Sequence, residues 1–473
     1  MNIYPSLLFP VAMCGVIGVI GLPGASKYAL EAVEALQHRG QEGAGIVTSD
    51  SKFEIHEKKG QGLVQDVFSG DEDLEDLEGD QATAHVRYST TGASKLKNVQ
   101  PIVSGFQRYI LAVSHNGNFV NSKVLRRDLE AEGAIFQTTT DTELVHHLIA
   151  RSKQDTLEGK IKEALRRVDG AYSIVILAVD KNNEERTIFA AKDPYGMRPL
   201  CMGELNGGHI VSSENCAFER VGARFIREIN PGELVRITDQ GYVFDKLEID
   251  YSKRKAKCIF EYIYLARPDS EIFGTPLQVS EFRKESGRRL AEERGVDADI
   301  VIGVPDSGIF AALGYAEKSG IPYDQGFIRN HYVGRTFINP EQSRRSSGVT
   351  RKLSAIRSIL SGKRVVVVDD SIVRGTTSKR IVRMVRELGG AKEVHLRLAS
   401  PPIIGSCYYG IDTPERKHLV AANLDLDGIR NYVTADSLGY LSVKGLQSIQ
   451  PDKGFCNGCF NLKYPTELYD KAA

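Results

Sequence analysis

The chain of 473 residues is too long for a single hydrophobic core and long enough for two or three. Its 61 Lys and Arg residues equal its 61 Asp and Glu residues, which excludes the basic composition typical of proteins that bind nucleic acids or anionic membranes. No apolar run approaches the roughly 20 residues of a membrane span, and no basic residue precedes the apolar stretch at 5–20 as it would in a signal peptide, so we expect a cytoplasmic protein.

The first half of the sequence is rich in predicted strands. Short runs of Val, Ile and Ala bounded by Gly, Asn or Asp occur at 15–20, 44–48, 81–88, 110–114, 171–179, 187–192, 209–213 and 233–237. Two amphipathic helices are predicted among them, at 26–38 and 141–151. The acidic run at 71–80 is predicted to be a solvated loop or helix face. Strands with occasional helices, in no regular alternation, indicate layered α/β packing.

The pattern changes near residue 251. Residues 245–257 are charged and poor in large apolar side chains, which predicts a linker. Beyond them the predicted elements are a helix at about 279–294, a strand at 299–304, a helix at 309–319, a strand at 364–369, a helix at 375–388 and a strand at 393–398. This alternation predicts a parallel sheet with crossover helices, and hence a domain boundary near residue 250.

Residues 364–378 (RVVVVDDSIVRGTTS) form the most specific segment. Four consecutive valines predict a strand buried on both faces, and Asp369 and Asp370 follow at its carboxyl end, where open α/β sheets bind ligands. The next loop begins a helix, whose free N–H groups and small hydroxyl side chains can bind a phosphate. The two carboxylates can bind ribose hydroxyls directly or through Mg²⁺. The acidic pair alone is as typical of a capped strand end, but the whole run is not.

This segment resembles the signature of the type I phosphoribosyltransferases. Residues 258–270 (CIFEYIYLARPDS), 303–308 (GVPDSG) and 332–338 (YVGRTFI) are similar to those of the glutamine phosphoribosylpyrophosphate amidotransferase family. The similarity extends from Cys14 to Tyr469, which is essentially the whole chain.

The resemblance implies a site for phosphoribosyl pyrophosphate. Asp369 and Asp370 would hold the ribose hydroxyls and one Mg²⁺, with Ser307 also near the metal, while Asp306 and Ser307 would approach the pyrophosphate. The 5-phosphate would be held by Arg374, Gly375, Thr376, Thr377 and Ser378. Residues 331–350 would form a flexible loop over the substrate, and on physical grounds its Arg335 could neutralise the leaving pyrophosphate.

A second group of motifs lies in the first half. Cys14 alone, in an apolar strand, is most often a packing residue. It is followed by 37–41 (QHRGQ), 85–92 (HVRYSTTG), 114–118 (SHNGN) and 139–143 (TTDTE). These motifs, in this order, resemble the N-terminal-nucleophile glutamine amidotransferases.

This second resemblance implies a glutaminase site. Cys14 would attack the glutamine amide, and Asn116 with the backbone N–H of Gly117 would form the oxyanion hole. Arg87 would pair with the α-carboxylate of glutamine and Asp141 with its α-ammonium. The nearby histidines are interpreted as structural residues rather than as a general base: His38, His85 and His115.

The seven cysteines are Cys14, Cys201, Cys216, Cys258, Cys407, Cys456 and Cys459. Without a secretion signal they favour metal binding or catalysis over disulfides. Cys456 and Cys459 form a C-x-x-C pair, which alone could be a zinc half-site or a redox pair. Cys258 and Cys407 stand singly, at positions that resemble the other two ligands in the cluster-containing branch of the family. The resemblance therefore implies one 4Fe–4S cluster on these four thiolates, with a structural or oxygen-sensing role.

Together the two resemblances predict an α/β protein of two domains. A leader or propeptide at 1–13 would precede an N-terminal-nucleophile αββα sandwich at 14–250, and a type I phosphoribosyltransferase parallel-sheet domain with the iron–sulfur ligands would occupy 251–473. The activity implied is that of an amidophosphoribosyltransferase, which forms phosphoribosylamine in the first step of de novo purine synthesis. A homotetramer, feedback inhibition by purine nucleotides and Mg²⁺ dependence are also implied, while the balanced charge predicts no nucleic-acid or membrane partner.

Three other functions fit parts of the sequence. A sugar-phosphate amidotransferase would share the first domain but would lack the Asp369–Asp370 signature. A regulator that senses phosphoribosyl pyrophosphate would keep that signature but has no need of Cys14 and would want a basic DNA-binding segment. A salvage phosphoribosyltransferase would be far shorter.

The predicted mechanism requires Cys14 to become the first residue, because its α-amino group is the base in N-terminal-nucleophile enzymes. Self-cleavage of a propeptide is one route. Translation from Met13 followed by methionine removal is the other. Residues 1–12 lack the acidic residues expected before the nucleophile in a family propeptide, which favours the second route.

Overall fold

The computed structural model describes residues 13–70, 72–88, 94–249, 255–330, 353–450 and 452–469. Its helical segments are Ala25–Ala35, Val64–Val67, Glu72–Glu75, Leu96–Asn98, Ser122–Ala131, Glu143–Arg151, Leu157–Arg167, Cys216–Val221, Glu261–Leu265, Val279–Glu293, Gly308–Ser319, Arg357–Leu360, Thr376–Arg383, Met384–Leu388, Arg416–His418, Val420–Asn423, Leu426–Val433, Val443–Ser448 and Gly458–Asn461. In this part of the chain no helix is long and apolar enough to cross a bilayer.

The first half folds into two antiparallel sheets. One has seven strands, in the order Arg224–Glu228, Cys201–Leu205, Gly208–Ser212, Gly15–Ile20, Gln81–Arg87, Gly43–Ser49 and Ile55–Gln61. The other has six, in the order Gly241–Lys246, Glu233–Thr238, Glu185–Lys192, Gly170–Asp180, Tyr109–Phe119 and Ile102–Phe106. Apolar side chains from both sheets, such as Val16 and Val175, share one core between them.

Helices cover the outer face of each sheet. Helix Ala25–Ala35 packs on the seven-stranded sheet through Ala29 and Val33. Helices Glu143–Arg151 and Leu157–Arg167 pack on the six-stranded sheet. The order of layers is therefore helix, sheet, sheet, helix, as the predicted αββα sandwich requires.

The second half contains the predicted parallel sheet. Its four strands stand in the order Ile300–Gly303, Arg364–Asp369, Glu393–Leu398 and Ser437–Tyr440. Alternate valines of the central strand face two separate cores, one containing Val366 and Val368 and the other Val365 and Val367. Burial on both faces explains the unbroken valine run.

Two small sheets complete this half. Strands Lys257–Cys258 and Phe455–Cys456 pair in parallel, and Phe327–Arg329 pairs with Leu353–Ala355 in the antiparallel sense. The first pair joins segments that are almost 200 residues apart in sequence, and it sets Cys258 opposite Cys456.

The predicted linker at 245–257 begins within a strand, and its residues 250–254 lie outside the described residues. Asp245 and Lys246 belong to strand Gly241–Lys246, which pairs along its length with strand Glu233–Thr238. Edge strands are commonly charged, so charge alone does not distinguish such a strand from a linker.

A buried network of charged side chains joins the two halves. Arg39 donates from Nη2 to Glu261 Oε1 at 2.9 Å, and Arg198 donates from Nη1 to the same oxygen at 3.2 Å. Arg39 also donates to Glu214. All four side chains have no solvent exposure. Burial alone would lower the pKa of Arg39, but the carboxylates of Glu261 and Glu214 raise it above its usual value.

Removing Glu261 should destabilise the protein strongly, because Arg39 and Arg198 would stay buried without a shared anion. We expect Glu261→Ala to lower the free energy of unfolding by about 3–5 kcal/mol in a urea titration. Glu204→Ala is the matched control, since Glu204 pairs with Arg224 at the surface and exposed pairs contribute little. Equal, small effects of the two substitutions would contradict this role of Glu261.

Candidate active site

Cys14 lies immediately before strand Gly15–Ile20 and is buried, with only 7% of its surface exposed. Its Sγ lies 3.6 Å from the carbonyl oxygen of Tyr88. Burial raises the pKa of the thiol to about 11, although the Tyr88 carbonyl contact and the charge of Arg87 lower it in part. Cys14 is therefore a neutral thiol at pH 7, and it needs a base before it can act as a nucleophile.

Arg87 and Asp141 are close enough to Cys14 to affect the pKa of its thiol. Arg87 ends strand Gln81–Arg87 and is buried. Asp141 is buried two residues before helix Glu143–Arg151, and its Oδ2 accepts from the backbone N–H of Phe119 at 2.9 Å. A buried cation and a buried anion beside a thiol suit a substrate that carries both charges, such as an amino acid.

Asn116 lies on strand Tyr109–Phe119, and its side chain has no solvent exposure. Among the described residues, neither Oδ1 nor Nδ2 of Asn116 has a hydrogen-bond partner. A buried amide without partners is costly unless a ligand satisfies it. His85 Nε2 lies 3.2 Å from the carbonyl oxygen of His115. Strand Tyr109–Phe119, which carries Asn116, therefore packs against strand Gln81–Arg87 of the other sheet.

The histidines of this region are held neutral or paired. Burial lowers the pKa of His85 to about 3, and burial also lowers the pKa of His115 despite the nearby charge of Asp141. His38 Nε2 lies 2.8 Å from Glu214 Oε1. These contacts agree with the interpretation of the three histidines as structural residues.

Asp369 ends the parallel strand Arg364–Asp369, Asp370 follows it, and both are buried. Ser307 Oγ donates to Asp370 Oδ1 at 2.6 Å, which brings the loop after strand Ile300–Gly303 against the acidic pair. Burial and the charge of Asp370 raise the pKa of Asp369 well above its usual range. Burial also raises the pKa of Asp370. A divalent cation at this site would favour the ionised forms.

The next loop has groups that can bind an anion. Gly375 has φ of 77° and precedes helix Thr376–Arg383, which has no side-chain cap on its first N–H groups. Ser378 is buried in the first turn. The Nε of Arg374 is buried without a hydrogen-bond partner among the described residues. These groups, with Thr376 and Thr377, can hold a phosphate.

The remaining predicted contacts are placed less directly. The exposed Asp306 accepts a hydrogen bond from Arg329, a residue that sequence reasoning did not single out. Arg335 and the predicted loop at 331–350 lie outside the described residues.

Asp412 is a further acidic residue that the sequence did not reveal. Burial raises the pKa of the Asp412 carboxyl, and the charge of Glu42 in the first half raises it further. The charge of Arg374 lowers it in part. Glu42 in turn affects the pKa of Cys14. Charges from both halves of the chain therefore act on Asp412, which no local motif indicates.

Four cysteines line one apolar cavity: Cys258, Cys407, Cys456 and Cys459. Burial raises the pKa of Cys258 to about 11 and that of Cys456 to about 12. Among the described residues, no three His, Cys, Asp or Glu side chains are placed to hold a single metal ion. The four thiols lie around the cavity itself. Cys201 and Cys216 are buried in the hydrophobic core of the first half, away from this cavity.

The cysteine cavity also has features that suit an anionic cluster. The charge on buried Arg198 lowers the pKa of Cys258, and the backbone N–H of Tyr409 donates to Cys407 Sγ at 3.3 Å. Positive charge and N–H···S bonds stabilise cluster thiolates. The residues present therefore fit the predicted 4Fe–4S group.

Comparisons with known proteins place the chain among sequences of one activity. A family model described as a glutamine amidotransferase domain matches residues 85–220. The chloroplastic amidophosphoribosyltransferase of Vigna aconitifolia is 49% identical over 461 residues, which cover 97% of this chain and 92% of the relative. The amidophosphoribosyltransferase of Bacillus subtilis (strain 168) is 47% identical over 464 residues, which cover 96% and 94%.

Two solved structures are similar over nearly the whole chain. The glutamine phosphoribosylpyrophosphate amidotransferase from B. subtilis, complexed with ADP and GMP, has a TM-score of 0.89 at 46% identity, and the match covers 97% of this chain and 98% of that one. A structure described as the allosteric regulatory enzyme of purine biosynthesis has a TM-score of 0.90 at 47% identity, with the same coverage.

Proposed function

The chain belongs to the amidophosphoribosyltransferases, the glutamine-dependent enzymes of the first step of purine biosynthesis, and we propose that Cys14 and the pair Asp369–Asp370 are its two reaction centres. Phosphoribosyl pyrophosphate, glutamine and water would give phosphoribosylamine, glutamate and pyrophosphate. The observation that carries the assignment is the buried amide of Asn116, which has no partner of its own in the described structure.

At the first centre, the Cys14 thiolate attacks the amide carbon of glutamine. The α-amino group of Cys14, once free, takes the thiol proton and passes it to the departing ammonia. Asn116 Nδ2 and the N–H of Gly117 stabilise the oxyanion. Arg87 and Asp141 bind the α-carboxylate and α-ammonium. Water then hydrolyses the thioester to glutamate and restores the thiol.

At the second centre, ammonia attacks C1 of the phosphoribosyl group and the C1–oxygen bond to pyrophosphate breaks. Asp369 and Asp370 hold the ribose hydroxyls, and with Ser307 they would hold one Mg²⁺, which would supply charge neutralisation at the pyrophosphate. The 5-phosphate is held by residues 374–378. Asp306 and Arg335 complete the pyrophosphate contacts in this proposal.

Several finer assignments rest on the family. We assign the first domain to 14–250 and the second to 251–473, after a leader or propeptide at 1–13. We also assign a 4Fe–4S cluster to Cys258, Cys407, Cys456 and Cys459, a homotetrameric assembly, a cytoplasmic location, and feedback inhibition by purine nucleotides. The last is supported by the relative whose structure contains ADP and GMP.

The two activities should separate by mutation. Cys14→Ala should abolish glutamine-dependent synthesis and leave synthesis from free ammonia, because the second centre is untouched. Asp369→Asn with Asp370→Asn should abolish both. Release of pyrophosphate measures both syntheses, and release of glutamate measures the use of glutamine alone. Cys201→Ala, which alters a buried cysteine of the same sheet, is the control. Loss of the ammonia-dependent reaction in folded Cys14→Ala would contradict the two-centre proposal.

The cluster gives a direct test. Anaerobically purified protein should be brown and should contain about four iron and four sulfide per chain. Ser in place of Cys456 or Cys258 should remove the colour and much of the soluble yield, whereas Cys216→Ser should keep the colour. Stoichiometric zinc without labile sulfide would rule out the cluster.

The mature enzyme should begin with Cys14. The peptide bond between Met13 and Cys14 removes the α-amine that the thiol needs. Met13 itself is fully buried and donates its N–H to the Arg39 carbonyl at 2.9 Å. The free amine has an unperturbed pKa of about 7.7–8.0, so glutamine-dependent turnover should rise with pH through that range. Intact-mass analysis of the native protein tests the start of the chain.

Changing Met13 to Leu in a gene that starts at Met1 distinguishes the two routes to this N-terminus. Self-cleavage should tolerate Leu, whereas internal initiation should not. An active enzyme that still carries residues 1–13 would refute the proposed role of the Cys14 amine.

A further inference from the structure

The loop 408–410 of the second half lies directly against Gly117. Asn118 Nδ2 donates to the carbonyl oxygen of Tyr408 at 3.0 Å. A Cβ atom added to Gly410 would lie only 2.8 Å from the carbonyl carbon of Gly117 and 3.0 Å from its Cα. The two backbones are therefore in van der Waals contact without an intervening side chain.

Gly117 is confined from its other side as well. It pairs with Tyr172 on strand Gly170–Asp180, and a Cβ on Gly117 would lie 2.0 Å from the carbonyl oxygen of Ala171. Its φ of 154° belongs to the range that L side chains rarely adopt. Glycine has wide backbone freedom, so these contacts on two sides limit how Gly117 can move.

Arg198 holds the loop in place. It donates from Nε and Nη2 to the carbonyl oxygen of Tyr409, at 3.2 and 2.5 Å, and from Nη1 to Glu261. The same Glu261 binds Arg39, whose Nε donates to the carbonyl oxygen of Cys14 at 2.9 Å. One carboxylate thus links the backbone of the nucleophile to the loop behind Gly117.

We propose that Gly410 and Arg198 are positioning residues of the oxyanion hole. Gly410 presses on the backbone of Gly117 and keeps its N–H aligned with the amide of Asn116, and Arg198 fixes the loop that carries Gly410. The inference rests on the proposed roles of Asn116 and Gly117. It makes the second half of the chain a structural part of the glutaminase site.

The test is Gly410→Ala, because the three atoms nearest to the added Cβ all belong to Gly117. We expect kcat for glutamine hydrolysis to fall about 100-fold, the effect of losing one oxyanion donor. The KM for glutamine should stay the same, since Arg87 and Asp141 are unchanged and the oxyanion forms only in the transition state. Ammonia-dependent synthesis should also be unchanged.

Gly362→Ala is the matched control. Gly362 also has a positive φ, of 74°, but a Cβ there would meet nothing within 4 Å, so Gly362→Ala introduces a side chain at a positive φ without the contact. Arg198→Lys is a second variant that keeps a positive charge beside Glu261. A lysine lacks the planar fork that reaches Glu261 and Tyr409 together, so kcat for glutamine hydrolysis should fall at unchanged KM.

An aldehyde analogue of glutamine adds a readout of the hole itself. Addition of the Cys14 thiol to the aldehyde creates an oxygen in the place of the oxyanion, so Gly410→Ala should weaken this inhibitor in proportion to the loss of kcat. A parallel loss of both activities, a rise in KM alone, or an unchanged kcat would overturn the proposal. Asn116→Ala in the same assay tests the oxyanion hole independently, because an unchanged kcat there would refute the proposed function instead.

Discussion

The arrangement of the two halves depends on one carboxylate, that of Glu261. It is fully buried and receives hydrogen bonds from Arg39 and Arg198, both of which belong to the other half of the chain. Two buried guanidinium groups that face a buried carboxylate cannot be separated cheaply, because each would remain in the interior without its counter-ion. Apolar packing tolerates small displacements, but this pairing sets the distance and orientation of the two halves together.

Burial has the same effect at both proposed reaction centres. It raises the pKa of the Cys14 thiol to about 11, and it raises that of Asp369 well above the usual range. Burial therefore disfavours the ionised form at each proposed centre. In the proposed mechanism a free amine at one centre and a cation at the other favour that form. The fold supplies shape and exclusion of water, and activation comes from outside the folded core.

Much of this could be predicted from the sequence, because strong local patterns mark it. The valine run before Asp369 and the apolar strand after Cys14 were predicted at residues 364–369 and 15–20, and the structure has both at those bounds. The strand Ile55–Gln61 and the helix Ser122–Ala131 were missed, since each is mostly polar and lies at an edge or on the surface.

The buried ion pairs could not be predicted from the sequence, for a different reason. Arg39 and Glu261 stand within motifs that were noticed, yet nothing in the local sequence predicts that they meet in the core. Charged residues are almost always exposed, and only the folded chain brings partners together from 222 positions apart. Asp412 was missed for the same reason. The motifs therefore predict which residues form the sites, whereas the buried contacts that join the two halves are visible only in the folded structure.

The arginine pair also limits how far the first domain is an exchangeable module. Glutamine amidotransferase domains occur in other proteins, and the one here matches a general description of them over residues 85–220. Arg39 and Arg198, however, face outward from that domain into Glu261 and the carbonyl oxygen of Tyr409. A different second domain joined to this first domain would have to place a carboxylate and a carbonyl oxygen where Arg39 and Arg198 can bind them. The contacts that hold the two domains together are thus made by side chains far in sequence from the linker. A chimera designed from the linker alone would lack these contacts.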